Sequence, residues 1–117
     1  MIFRNIKSVL LAVLIVGLYS EQSAANTTGT AAYTQYVNIE QININAPYVQ
    51  IRLSESINPA GCANSNGWYL RPLTDIGTEQ MFELALKAHL NNKPIKLRAI
   101  GNLCADGYPY FDYVSIQ

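Results

Sequence analysis

Two cysteines, Cys62 and Cys104, constrain this chain more than any other feature, because each sits among residues that break regular structure. Cys62 lies in Asn58–Gly67 (NPAGCANSNG) and Cys104 in Gly101–Pro109 (GNLCADGYP). Two cysteines admit one intramolecular pairing. In an oxidising compartment that pairing is a disulfide, which would tie two loops 42 residues apart. Closing such a loop is worth about 4 kcal/mol on chain-entropy grounds.

The N-terminus supplies the compartment. Arg4 and Lys7 precede an uncharged apolar run from Val9 to Leu18, followed by Ser20-Glu21-Gln22-Ser23-Ala24-Ala25. This is the order of a secretory signal peptide over residues 1–25, with small residues Ser23 and Ala25 at the −3 and −1 positions of a cut after Ala25. An apolar run of about ten residues is half of the roughly 20 needed to span a bilayer, so no permanent membrane anchor is expected. No cysteine at the junction points to lipidation. Cleavage would leave 92 of the 117 residues, a single domain small enough for a staple to matter. A secreted or periplasmic location follows as the expectation.

Charge narrows the partners. The exported part carries Arg52, Arg71, Lys87, Lys93, Lys96 and Arg98 against Glu40, Glu55, Asp75, Glu79, Glu83, Asp106 and Asp112. Only Lys93, Lys96 and Arg98 cluster, and a solvated strand face accounts for them. Nucleic acid, which requires concentrated positive charge, is not an expected partner.

Residues 26–35 begin with small polar residues (NTTGTAA) and read as a flexible leader; the domain proper is expected over residues 36–117. Tyr36-Val37-Asn38-Ile39 alternates at period two, and Ile42 and Ile44 continue in the opposite phase. A parity switch within one strand predicts a bulge. Val49, Ile51 and Leu53 form a half-buried strand after the Asn45-Ala46-Pro47 turn. Trp68–Arg71 is a short third strand ended by Pro72.

A helix is predicted from Glu79 to Leu90, with candidate caps in Thr74–Thr78, Asn91-Asn92 at its C-terminal end and Pro94 blocking continuation. Its polar stripe is narrow (Gln80, Glu83, Lys87), leaving Met81, Leu84, Ala85 and Ala88 on one flank and Phe82, Leu86 and Leu90 on the other. A helix apolar on two flanks needs two surfaces to bury against, so the first flank is a candidate oligomer contact. Ile95–Ala99 and Tyr110–Ile116 complete five strands, with the helix between strands 3 and 4. The expected fold is mainly β with one helix: a small five-stranded OB-fold-like barrel with one disulfide.

The residues Met81-Phe82-Glu83-Leu84-Ala85-Leu86-Lys87-Ala88-His89-Leu90, Asn92-Lys93-Pro94-Ile95, Cys104, Gly107-Tyr108-Pro109 and Asp112-Tyr113-Val114-Ser115-Ile116 resemble small exported bacterial OB-fold proteins of the subtilase cytotoxin B-subunit type. The likeness spans roughly Tyr48–Gln117, about 60% of the chain. It implies the OB fold, a glycan-binding role and assembly into a ring. It carries over no individual ligand contacts and does not imply an enzymatic partner subunit.

Catalysis has little material. His89 is the single histidine, near the helix C-terminus, with no nucleophile motif elsewhere. Asp106 and Asp112 are read as surface carboxylates or partners of loop amides. No metal ligand set and no cofactor motif is present, so an enzyme is not expected. Recognition is better supplied, with seven tyrosines, Trp68 and ten asparagines in the exported part. Tyrosine pairs an apolar face with a polar tip, and sugar rings present C–H faces rimmed by hydroxyls. Tyr48, Tyr108 and Tyr110, beside turns, with Asn64 and Asn66 in the first cysteine loop, are the candidate ligand residues. The expected function is a non-catalytic binding module for a glycan or a protein surface, able to self-associate. The alternative is a monomeric structural domain of the cell envelope without a small ligand.

Overall fold

A computed structural model describes residues 29–117; the signal peptide assigned to residues 1–25 lies outside the described residues. The elements are β1 (Ala32–Tyr33), β2 (Ile39–Asn45), β3 (Tyr48–Leu53), β4 (Trp68–Pro72), α1 (Thr78–Leu90), β5 (Ile95–Ala105) and β6 (Tyr108–Ile116). They form one sheet in the order β1-β5-β6-β4-β3-β2, with every pairing antiparallel except β4 with β6. The cysteine pair is the disulfide that the count of cysteines implies, bridging Cα atoms 5.8 Å apart.

The expectation of a closed five-stranded barrel is corrected on two points. The sheet has six strands, because Ala32–Tyr33 pairs with Ala99 and Arg98 of β5. It is also open: β1 and β2 are its edges and do not pair with each other. With the extra strand counted, the helix lies between β4 and β5 rather than between strands 3 and 4. A two-residue strand has no alternation to display, so its existence depends on what β5 offers. Thr34 and Val37 extend the contact, Thr34 exchanging backbone hydrogen bonds with Leu97 through its amide and hydroxyl, and Val37 with Ile95.

The parity switch in β2 is real. Its register with β3 slips between Ile39 and Gln41, so Ile39, Ile42 and Ile44 all share a side with Leu53, Ile51 and Val49. The second cysteine segment is no loop. β5 runs on through Cys104 to Ala105, and the chain reverses over Asp106-Gly107, both at positive φ (51° and 82°). Aspartate followed by glycine suits a two-residue turn of this hand, whose twist matches the flanking strands.

The core gathers Ile39, Val49, Ile51, Leu53, Tyr69, Ile95, Leu97, Ala99 and Phe111 from the sheet with Ala85 and Ala88 from the helix. Burying each large aliphatic side chain contributes about 1.5–3 kcal/mol. The helix starts at Thr78 after Gly77, whose φ of 87° fits only glycine comfortably, and none of Thr74–Thr78 caps it through a side chain. At the other end Asn92 adopts φ 53°, and Asn91 donates through its side chain to the Lys87 carbonyl at 2.7 Å.

Candidate functional site

The candidate ligand residues do not form one group. Asn64 and Asn66 are exposed on the loop before β4. The disulfide and a bond from the Asn64 amide to the Gly107 carbonyl (2.9 Å) bring that loop beside Tyr108, the half-buried first residue of β6. Tyr110 is also half-buried, with the Arg71 guanidinium 5.6 Å from its ring centre. Tyr48 begins β3, two strands away from β6, opposite Asn45 and Pro72. On the helix, Ala85 and Ala88 are buried in the chain's own core and Met81 packs against it, leaving Leu84 exposed. Burial of the two alanines three residues apart is what places the helix close on the sheet.

A different group of side chains converges on the outer side of β1, β5 and β6. Ile95, Leu97 and Ala99 point into the core, so Lys96 and Arg98 point away from it. Tyr33 and Tyr113 both register with Arg98, one from each neighbouring strand. The three side chains form a row in which the guanidinium lies 5.6 Å from the Tyr33 ring centre and 5.5 Å from that of Tyr113. The two rings meet edge to face at 5.6 Å.

A bulge completes the group. Arg98 pairs with Tyr113 and Ala99 with Phe111, so one step on β5 spans two on β6, and Asp112 is the extra residue. Asp112 and Tyr113 therefore both reach Arg98. Asp112 accepts two bonds from the guanidinium, from Nε at 2.8 Å and from an Nη nitrogen at 3.2 Å; the other Nη donates to the Tyr33 hydroxyl at 3.1 Å. The Asp112 hydrogen bond, then that of Tyr33, hold the Arg98 guanidinium above its usual range.

Lys96, one row along, has no carboxylate within ion-pair distance among the described residues. Its Nζ lies 4.9 Å from the Tyr36 ring centre and 5.8 Å from that of Tyr33. The Tyr36 hydroxyl shares a hydrogen bond with Ser115 at 2.9 Å, which pins that ring over β6. The result is a surface of three tyrosine rings, one ammonium with spare donors, one ion pair and one serine.

Proximity to turns pointed elsewhere, and the signal available for this cluster was the alternation that turns Lys96 and Arg98 outward. Tyr33 lies in the segment read as a leader, and 80 residues separate it from Tyr113. Among the described residues, no group of three His, Cys, Asp or Glu side chains is placed to hold a metal ion, and no helix is long and apolar enough to cross a membrane. No family model matches the chain, and no match is found among curated proteins.

Proposed function

We propose that this protein is an exported, non-catalytic binding module similar to toxin B subunits, and that it recognises a glycan on the tyrosine and cation surface of β1, β5 and β6. The row Tyr33–Arg98–Tyr113, with Lys96 beside it, carries the reading. A pyranose ring lays its C–H face on an aromatic ring, and its hydroxyls need donors and acceptors at the edge. Lys96 has three N–H donors and no carboxylate partner among the described residues, and Asp112 keeps lone pairs beyond those used by Arg98. The ion pair, the aromatic stack and the Tyr36–Ser115 bond hold these groups before a ligand arrives, which lowers the ordering cost of binding.

A glycan array probed with the purified protein tests this. Specific binding is expected, and Tyr33→Ala, Tyr113→Ala and Lys96→Met should each weaken it by about tenfold or more. An array without hits, or hits indifferent to all three substitutions, would end this reading.

A further inference from the structure

On the other half of the sheet, the helix and the β2–β3 hairpin enclose an open groove of about 570 Å³. Its apolar lining is Ile44, Val49, Leu73, Phe82 and Leu86, and its charged lining is Glu79 and Glu83. Phe82 and Leu86 stand one helical turn apart, as do Glu79 and Glu83, so an apolar stripe runs beside an acidic one. The Leu73 amide donates to the Pro47 carbonyl at 2.8 Å, which fixes the segment after β4 against the hairpin turn. Ile44 and Leu73 stay 52% and 40% exposed at the mouth.

The groove joins the exposed apolar side chains of Ile44 and Leu73 to an acidic rim, so a partner that covers it meets both kinds of surface. The charge says what kind of partner. Neither Glu79 nor Glu83 has a cation within ion-pair distance among the described residues, and no basic side chain lines the groove. We infer that the groove receives an amphipathic peptide segment of a protein partner, its apolar side chains over Phe82, Leu86 and Leu73 and its Lys or Arg side chains against Glu79 and Glu83. This surface shares no residue with the tyrosine and cation surface, so the two stand or fall separately.

The test uses the purified chain and fluorescence anisotropy with three labelled synthetic peptides. One has leucines at helical spacing flanked by lysines; the second has glutamates for the lysines; the third has serines for the leucines. The leucine–lysine peptide is expected to bind at least about tenfold more tightly than either control, and more weakly in 0.5 M than in 0.05 M salt. E79Q/E83Q, at two exposed positions, should lose about tenfold for that peptide, and Leu73→Ser a similar amount. Unchanged melting temperatures confirm that both variants are folded. Equal binding of the glutamate peptide, wild-type binding by E79Q/E83Q, or no binding of any peptide would overturn the inference. Self-association that Leu73→Ser abolishes and the leucine–lysine peptide fails to displace would overturn it too, by assigning the groove to a second copy.

Discussion

The Thr78 hydroxyl accepts a hydrogen bond from Arg71 Nε at 2.8 Å and donates its own proton to the Pro72 carbonyl at 2.8 Å. Both side chains are buried, and Arg71 adds bonds to the Phe111 carbonyl (3.1 Å) and the Ile76 carbonyl (2.6 Å). A buried cation is held here by carbonyl oxygens and a hydroxyl instead of a carboxylate. One side chain thereby joins β4, β6 and the entry to the helix. Thr78→Val removes the acceptor for Arg71 and the donor for Pro72 while keeping the shape, and should cost about 2–4 kcal/mol in urea unfolding. Thr78→Ser, which keeps the hydroxyl, should cost less than about 1.5 kcal/mol. Equal losses for the two variants would show that packing, and not the hydroxyl, is what matters at this position.

Gly101 meets the backbone of Thr30 so closely that a methyl group cannot fit between them. Gly101→Ala should push the segment around Thr30 away from β5, at a cost of about 1–3 kcal/mol. Because that segment leads into β1, the Tyr33 ring should lose its seat beside Arg98. Hydrogen exchange is the measurement: the Gly29 and Thr34 amides should exchange faster, while those of β3 keep most of their protection. Uniform loss of protection would mean that β1 is not a separable edge.

Tyr69 is fully buried, donates its hydroxyl proton to the Glu55 carbonyl at 2.7 Å and accepts from the Ile57 amide at 3.0 Å. Burial, the largest effect, raises the phenol above its ordinary value of 10.0; the Ile57 bond opposes this and the nearby Glu55 charge adds to it. The folded state therefore holds this proton more tightly than the unfolded chain does. Its contribution to stability is complete below about pH 10 and falls away as pH rises through the folded-state value. Tyr69→Phe should lose about 1–3 kcal/mol at neutral pH and show a shallower alkaline decline than the wild type. Parallel declines in the two proteins would argue against the raised phenol.

The disulfide fastens the loop between β3 and β4 to the β5–β6 hairpin beside its turn. Replacing Cys62 and Cys104 together with alanine should lower stability by about 4 kcal/mol, less any relief of strain. Denaturant unfolding of the two proteins measures it. A difference below about 1 kcal/mol would mean that the Asn64–Gly107 bond and the Asn58 bonds to Cys62 already hold the loop in place.

Local pattern carried much of this architecture. Alternation in Val49–Leu53, the phase switch between Ile39 and Ile42, and the run from Glu79 to Leu90 closed by Asn91-Asn92 each became the predicted element. Asp106-Gly107 was legible as a hairpin turn, but the breakers from Gly101 to Pro109 pointed to a loop. Non-local features were out of reach. Ala32–Tyr33 is a strand only because β5 has an unpaired edge there. Tyr33, Arg98 and Tyr113 meet through the register of three strands and a bulge at Asp112, and no window of sequence contains all of them. Distance from turns was a poor guide to which tyrosines face outward, because Tyr110 packs beside Arg71 while Tyr113, in mid-strand, is exposed.

The position of β6 bears on how the molecule assembles. It is the last of the described strands in chain order, yet it lies between β5 and β4 and joins them through the Leu70–Tyr110 pair on one side and the long hairpin on the other. A nascent chain lacking residues 108–116 therefore has two unconnected pieces of sheet, each with an open inner edge. Such a keystone arrangement makes closure of the native sheet wait for β6, whatever order the other five strands pair in.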